Sequence, residues 1–277
     1  MTWNCVGWTD AHKQLNKAFA TQNLSISCLS TSSFIESRGK FNSNNFIFAS
    51  SFSHYNALES AALCEKFVKL ASELVKKTVR PRVIFVSSAA VYGLSTKQKL
   101  YDENAKLQPS STYSKEKVLL EAVLSKEAID AGGSCIILRP AGLFGKTGIM
   151  ARNNNLVDRL IEAILSGEQL NISIENNGQQ IRDFVHIHDL LNVIAQAASH
   201  FDEIVPPLGK FVLNVSNGLP LQVSEIVEAA RERALSIKAI YKPATTDAIH
   251  CALNTAKLNS LFDRGAFQHV IKLLNDT

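Results

Sequence analysis

Short, uniformly apolar runs alternate with longer stretches of helical periodicity through the first half of the sequence. The runs "VIFV" and "CIIL" are apolar at every position, as is typical of strands buried on both faces. Strands are predicted at 2–6, 24–29, 45–49, 82–87 and 134–138, and helices at 11–21, 56–77 and 113–130. Strands that alternate with helices in this way predict an α/β fold built on a doubly wound parallel sheet.

The sequence after residue 145 has a different texture. A polar loop, "KTGIMARNNN", precedes a predicted helix at 156–165 and a short strand in "NISI". A further helix is predicted at 224–234, with Ser224 as its cap. We expect this part of the chain to form a smaller lobe that packs beside the sheet.

Composition and charge narrow the class of protein. The 277 residues are 46% hydrophobic and 19% charged, which suits a soluble globular protein with a substantial core. The net charge is only +4 and the basic residues are spread out, so we expect neither nucleic acid nor a membrane as the main partner. No apolar run reaches the ~18 residues of a membrane span, and the N-terminus has no signal-peptide pattern. The five cysteines lack any C-x-x-C spacing, which indicates free thiols and a cytoplasmic location.

Tyr113 and Lys117 are the first candidates for chemistry. Residues four apart on a helix are neighbours, so this phenol and ammonium can face one target. The preceding strand ends in Ser87 and Ser88, at the edge of a parallel sheet where ligands bind. A serine hydroxyl that orients a substrate oxygen and a tyrosine that moves its proton would form a proton-transfer group. We expect the lysine to lower the pKa of Tyr113. The alternatives are a surface tyrosine beside a solvated lysine and, which we prefer for Ser87, a serine that only ends the strand.

Six segments in order resemble the extended short-chain dehydrogenase/reductase family, the NAD-dependent epimerase/dehydratase group that acts on nucleotide sugars. They are "IFVSSAAVYG", "YDENAKLQPSSTYSKEK", "ILRPAGLFG", "NNLVDRLIEAILSGEQLNI", "NGQQIRDFVHIHDL" and "NVSNGLPLQVSEIVEA". The resemblance implies a Rossmann-type dinucleotide-binding domain over residues 1–145. It also implies a smaller, interleaved substrate lobe over 146–277, with some segments returning to the sheet.

The same resemblance implies the roles of individual residues. Ser88, Tyr113 and Lys117 would be the catalytic triad. Gly7, Ala49, Tyr113 and Lys117 would contact the dinucleotide, and Ser88, Asn155, Leu156 and Arg182 would hold the nucleotide sugar. The implied partners are a nucleotide sugar and NAD or NADP, and a homodimer is compatible with the family.

Arg182 and the two nearby histidines also have structural interpretations. A guanidinium suits phosphate oxygens, although Arg182 could instead pair with Asp183. His186 and His188 would share one face of a strand, but no cysteine or further histidine completes a zinc set, so no metal site is predicted. We expect both histidines to pack and hydrogen-bond where the strand meets the helix that begins near "DLLNVI".

The cofactor turn departs from the family pattern. Where the family has several glycines after the first strand, only Gly7 remains, and Thr9 and His12 fall at or near glycine positions. The second strand ends without the acidic residue that would bind a ribose, whereas Arg38 and Lys40 could neutralise a 2′-phosphate or lie in a solvated loop. Gly142 replaces an asparagine that is frequent in the family. We therefore expect NAD or NADP to bind weakly.

Two functions follow from these observations. The first is an epimerase or a 4-ketoreductase for a nucleotide-linked sugar. The alternative is an inactive nucleotide-sugar-binding homologue that has lost its cofactor. The intact triad favours the enzyme, and the altered glycine turn favours the alternative. A 4,6-dehydratase is not expected, because Ala89 and Ala90 stand where the dehydratases place an Asp-Glu pair.

Overall fold

The computed structural model describes residues 1–8, 11–37, 41, 43–50, 57–96, 100–145, 155–243, 250–262 and 267–277. In chain order the strands are β1 (Thr2–Val6), β2 (Ser25–Leu29), β3 (Asn45–Phe48), β4 (Arg82–Val86), β5 (Leu100–Tyr101), β6 (Ser134–Pro140), β7 (Gly142–Phe144), β8 (Leu170–Ile174), β9 (Ile181–Arg182), β10 (Phe184–His186), β11 (Lys210–Val215), β12 (Leu221–Gln222), β13 (Ile237–Tyr241) and β14 (Ala252–Leu253). The helices are α1 (His12–Thr21), α2 (Thr31–Ser37), α3 (Ala57–Lys77), α4 (Thr112–Asp130), α5 (Leu156–Ser166), α6 (Ile187–Ser199), α7 (Phe201–Ile204), α8 (Val223–Arg233), α9 (Ala256–Leu261) and α10 (Val270–Asp276).

A six-stranded parallel sheet organises the molecule, in the order β11-β6-β4-β3-β1-β2. The chain runs from β1 outward to β2 and then crosses to β3 on the other side of β1. In such sheets ligands bind beyond the carboxyl ends of the strands at the point where the winding reverses. Here that point lies between β1 and β3. The α/β fold with a doubly wound parallel sheet is therefore confirmed.

Helices cover both faces of the sheet because the central strands are apolar on both sides. One face packs against α1 and α6, with Leu15 and Phe19 among the buried side chains. The other face packs against α3 and α4 through a layer rich in phenylalanine. Successive residues of β3 serve the two sides, since Ile47 belongs to the first core and its neighbours Phe46 and Phe48 to the second.

The smaller lobe has its own core, formed by α5, α8, α10 and the parallel pair β8–β13. The chain does not stay in that lobe, because β11 returns to the main sheet as its edge strand beside β6. The division of the chain at residue 145 stays a prediction. No helix in the described part of the chain combines the length and apolar character that a bilayer span requires.

The predicted elements are present, with bounds that differ by a few residues at most. Strand β6 extends to Pro140, beyond the predicted end at residue 138. The predicted cap at Ser224 is wrong, because α8 begins earlier, at Val223, with Gln222 as its N-cap. The Gln222 backbone N–H donates to the Glu225 carboxylate at 2.7 Å, and this bond fixes the start of the helix.

Candidate active site

The reversal point of the sheet brings Gly7 and Ala49 together. The Ala49 backbone N–H donates to the carbonyl of Val6 at 2.9 Å, and the Gly7 N–H donates to Leu29 at 2.9 Å. Gly7 has φ +102°, and a Cβ at this position would lie 2.8 Å from the Ala49 carbonyl. A glycine is therefore required where β1 passes β3. Trp8, the next residue, also has a positive φ of 50° and packs partly buried against the core.

Ser88 lies two residues after the end of β4 and caps a short 3-10 turn over Ala89–Tyr92. Its hydroxyl accepts the Ala90 backbone N–H at 3.2 Å, which holds the side chain at the carboxyl edge of the sheet. Ser87 instead turns inward. It is buried and donates to the carboxylate of Glu121 at 2.5 Å, which agrees with the structural interpretation preferred for it.

Helix α4 carries Tyr113 and Lys117 towards this edge. Its N-terminus is fixed by a reciprocal pair of bonds, in which Ser111 Oγ accepts from the Ser114 N–H and Ser114 Oγ accepts from the Ser111 N–H. Tyr113 lies in this first turn, partly buried, and the Ser88 hydroxyl is near enough to lower the pKa of its phenol against the larger effect of burial. The structure thus places Ser88 and Tyr113 near each other.

Lys117 is buried below Tyr113. Its ammonium donates to the carbonyls of Ser50, at 2.9 Å, and Val86, at 2.8 Å, and lies 5.7 Å from the Tyr113 ring centroid. These bonds connect α4 to the ends of β3 and β4. Burial lowers the pKa of Lys117 to about 8, against the opposing effect of the Glu121 carboxylate.

The expected low pKa of Tyr113 is wrong for this structure. Burial raises the pKa of the phenol above its ordinary value, and the hydrogen bond from Ser88 offsets only part of that effect. The Lys117 ammonium is engaged with two carbonyls and lies near the face of the ring. Tyr113 is consequently protonated at neutral pH in this form of the protein.

A buried polar network behind the triad was missed from the sequence. Arg139 forms a two-pronged ion pair with Glu121, with Nε to Oε1 at 3.0 Å and Nη2 to Oε2 at 2.7 Å. Arg139 Nη1 also donates to the Tyr92 hydroxyl at 3.0 Å, and that hydroxyl donates to Asn214 at 2.6 Å. The sequence indicates only that each charge needs a partner, because an arginine at the end of an apolar strand and a glutamate one turn after Lys117 are rarely buried alone; it does not indicate that they pair with each other.

A short parallel pair of strands, β7 and β10, lies beyond the end of β6. The predicted substrate-binding residues are close to it in the chain: Asn155 and Leu156 at the start of α5, and Arg182 in β9. Asn155 caps α5, since its side-chain oxygen accepts the Asp158 N–H at 2.9 Å and its amide donates to Leu143 at 2.9 Å. Leu156 is the first residue of the helix.

Arg182 is partly buried, and burial lowers its pKa. Asp183 is occupied by two backbone N–H groups, those of Phe184 at 2.8 Å and Leu253 at 3.1 Å.

The two histidines lie where β10 meets α6, as predicted. His186 caps the helix by accepting the His188 N–H at 3.3 Å, and the two rings are 4.9 Å apart. Burial lowers the pKa of His186 to about 4. Within the described residues, no group of three or more His, Cys, Asp or Glu side chains could hold a metal ion.

The residues at the edge of the sheet fit one end of a dinucleotide. Two hydroxyls and an ammonium converge at the end of β4, beside a glycine at the reversal point. The region that would bind the pyrophosphate and the adenosine ribose has fewer of the residues that usually contact them. His12 opens α1 with its ring 3.0 Å from Asn16, and the sequence after β2 carries serines in place of an acid. Thr9, Arg38 and Lys40 lie outside the described residues.

Comparison with known proteins agrees with this geometry. The NAD dependent epimerase/dehydratase family model matches residues 56–215, which is more than half of the chain and includes all three residues of the predicted triad. The chain belongs to this family. The expected family is thereby confirmed, and the description of that family is NAD dependent.

Among curated proteins, UDP-glucuronate 4-epimerase 4 of Arabidopsis thaliana is 28% identical over 181 residues. That match covers 62% of this chain and 40% of the relative, so the chain spans about two fifths of the relative's length. UDP-glucuronate 4-epimerase 6 of the same plant is 26% identical, over 58% of this chain and 36% of its own.

Solved structures show the same fold over nearly the whole chain. The UDP-glucose 4-epimerase of Thermus thermophilus, in complex with NAD, has a TM-score of 0.78 at 16% identity and covers 100% of this chain and 98% of its own. The dTDP-glucose 4,6-dehydratase of Bacillus anthracis, also with NAD, has a TM-score of 0.73 at 16% identity and covers 99% and 96%. At these identities the likeness concerns the fold alone.

Proposed function

We propose that the chain is an NAD- or NADP-dependent 4-epimerase of a nucleotide-linked sugar, with Ser88, Tyr113 and Lys117 as its proton-transfer residues. The observation that carries the proposal is that Ser88 and Tyr113 lie near each other at the carboxyl edge of the sheet, close enough for the serine hydroxyl to act on the pKa of the phenol. The buried ammonium of Lys117 lies beneath the same ring, 5.7 Å from its centroid. An inactive binding protein has no need for this arrangement.

Each residue of the triad has a distinct task. Tyr113 moves the proton of the sugar hydroxyl whose carbon is oxidised and reduced again, and Ser88 orients that oxygen by a hydrogen bond. Lys117 fixes α4 against β3 and β4 through its two carbonyl acceptors, and its ammonium lies beneath the Tyr113 ring. A dinucleotide bound along Gly7, Ala49, Tyr113 and Lys117 would accept and return the hydride.

The diphosphate of the substrate would bind near the start of α5. The Asn155 side chain is engaged in capping, so the free backbone N–H groups of the first helical turn, beginning with Leu156, would face the phosphate oxygens. Arg182 would add a partly desolvated guanidinium to the same anion. The curated relatives act on UDP-glucuronate by name, which makes UDP sugars the first substrates to test.

A 4-ketoreductase is the second candidate, and the state of Tyr113 favours it. Because burial raises the pKa of this phenol, Tyr113 carries the proton that a ketone oxygen needs when it is reduced. A 4,6-dehydratase is not proposed. Ala89 and Ala90 follow Ser88 directly, and their methyl groups cannot assist the loss of water.

The test is to incubate the purified chain with UDP-glucuronate or UDP-glucose and each dinucleotide, and to follow carbon 4 by NMR. We expect inversion at carbon 4 and a loss of about 10² to 10⁴ in rate for Tyr113→Phe. Tyr241→Phe is the matched control, because this tyrosine bonds Glu228 on the surface at 2.6 Å.

Three outcomes would count against parts of the proposal. If Tyr113→Phe kept most of its turnover, Tyr113 would only be a wall of the pocket. A 4-keto-6-deoxy product would show that the exclusion of a dehydratase is mistaken. Binding of UDP sugar without any dinucleotide would support the inactive homologue.

A further inference from the structure

Glu121 stands at the junction of the elements that carry the triad. It lies on α4, four residues after Lys117, and its carboxylate is buried. Oε1 accepts from Ser87 at 2.5 Å and from Arg139 Nε at 3.0 Å, and Oε2 accepts from Arg139 Nη2 at 2.7 Å. One carboxylate therefore connects the end of β4, the end of β6 and the middle of α4.

The bond to Ser87 lies next to Ser88 in the chain and on the same helix as Tyr113. Ser88 is the next residue after Ser87, and Tyr113 is two helical turns before Glu121. A carboxylate that holds Ser87 against α4 also limits how far the adjacent Ser88 can move relative to that helix. Small displacements between reacting groups are expensive, since about 1 Å can cost 10²-fold in rate.

The charge of Glu121 acts on Lys117 as well. The groups that face the Lys117 ammonium are Glu121 and Glu116 of α4, Cys64 of α3 and the two backbone carbonyls of Ser50 and Val86. Among the charged groups, Glu121 has the largest effect in favour of the ammonium form. Burial works in the opposite direction.

We propose that Glu121 is a positioning residue for the triad, which holds Ser87 against α4 by a hydrogen bond and places a carboxylate one helical turn after Lys117. Arg139 contributes as well, because its two hydrogen bonds to Glu121 fix the orientation of the Glu121 carboxylate. The kinetic part of this inference rests on the proposed function. The effect on Lys117 does not.

Three substitutions separate the two roles. Glu121→Gln removes the charge, so the pKa of Lys117 should fall further below its ordinary value. The loss of activity at alkaline pH should then begin at a correspondingly lower pH than in the wild type. Glu121→Asp keeps the charge but shortens the reach, and Ser87→Ala removes only the hydrogen bond. Both should lower kcat by up to about 10²-fold, with KM and the alkaline limb nearly unchanged.

The titration of Lys117 is read directly by NMR of its ¹³C-labelled side chain, with Lys117→Met used to assign the signal. Glu127→Gln, on the same helix and partly exposed, is the matched control and should shift neither quantity. An unchanged Lys117 titration in Glu121→Gln overturns the inference about charge, whether or not the protein acts on a nucleotide sugar.

If Glu121→Gln does not fold, the other two variants decide. Full kcat in both Ser87→Ala and Glu121→Asp overturns the positioning role, and the predicted loss with an unshifted Lys117 titration supports it. Absence of turnover in the wild type with every UDP sugar would count against the proposed function instead, and the NMR titration would still test Glu121.

Discussion

At the residue scale, the most informative feature is a set of three buried charged side chains near the proposed triad. Lys117, Glu121 and Arg139 are each buried, and each has partners within 3.0 Å that come from a different element. Charges are costly to bury, so such groups persist where their partners are fixed. Arg182 differs from them, because it is only partly buried and sits in the lobe assigned to the substrate.

Arg182 provides the prediction at this scale. Arg182→Gln should weaken the binding of a UDP sugar by about one to two decades, because a charge-assisted bond to phosphate contributes roughly 1.5 to 3 kcal/mol. The turnover number at saturating substrate should change little. Calorimetric titration with UDP-glucuronate measures the effect.

Arg231→Gln is the control for that experiment. Arg231 is half-exposed and pairs with Glu228 at 3.0 Å on the outside of α8, so its loss should not affect binding. Equal affinities of Arg182→Gln and the wild type would show that Arg182 has a structural role.

The sequence was sufficient for the residues that touch one another along a helix or at a strand end. Tyr113 and Lys117 could be paired from their spacing, and Ser88 from its place after an apolar strand. Glu121 and Arg139 belong to one contact but are 18 residues apart, and only the pairing of α4 with β6 brings them together. The raised pKa of Tyr113 was also beyond the sequence, because it depends on burial.

At the scale of elements, the junction between β10 and α6 combines a helix cap with a titratable group. His186 is buried, accepts the His188 N–H and packs edge-on against Phe144 at 5.1 Å. Its pKa is lowered to about 4 from 6.5, so the unfolded chain takes up a proton at a pH where the folded chain does not. The contribution of His186 to the free energy of unfolding is therefore fully present above pH 6.5 and is lost as the pH falls towards 4.

His186→Asn tests this dependence. Asparagine is a good N-cap, so the helix should start as before at neutral pH. The wild type should lose up to roughly 3 kcal/mol of unfolding free energy between neutral pH and about pH 4 through this one group, and the variant should not. Urea denaturation at several pH values gives the comparison.

His200→Asn serves as the control, since His200 is exposed and its loss should leave the acid dependence intact. If the wild type and His186→Asn lost stability in parallel, the acid dependence would have to come from other groups.

The long elements of the sheet were predictable, and the short ones were not. Strands β7 and β10 have three residues each and exist only because they pair with each other across 42 positions of sequence. Local periodicity carries no signal for such a pairing. The cap of α8 was misplaced for a related reason, because Gln222 and Ser224 are both polar and only the bond to Glu225 selects between them.

At the scale of the whole molecule, the two sides of the proposed dinucleotide site differ in the number of residues that could contact the cofactor. The usual doubly wound sheet has a further strand beyond the second, on the side of the adenosine. In the described part of this chain the sheet ends at β2. The residues proposed to lie near the nicotinamide, Ser88, Tyr113 and Lys117, are all present. The edge at β2, which would lie near the adenosine, provides fewer groups that could contact it.

We therefore expect micromolar or weaker binding of all four dinucleotides, with free exchange during turnover. Each missing charge-assisted bond to the pyrophosphate would cost about one to two decades of affinity. His12→Gly should tighten binding by removing the imidazole at the start of α1, with Lys13→Gly as a control for the loss of a positive charge and of helix propensity at the next position. Calorimetry of the purified protein decides, and NAD retained in stoichiometric amount through purification would contradict the prediction.

The placement of the two tryptophans has an optical consequence. Trp3 is fully buried beside Phe201, whereas Trp8 follows Gly7 directly at the reversal point of the sheet. Indole emission overlaps the absorption of a reduced nicotinamide, so excitation of Trp8 can pass to a bound reduced dinucleotide nearby. Trp3 lies near the other end of β1, and Trp8→Phe separates its emission from that of Trp8. The chain thus contains an intrinsic fluorescent reporter at the mouth of its own cofactor cleft.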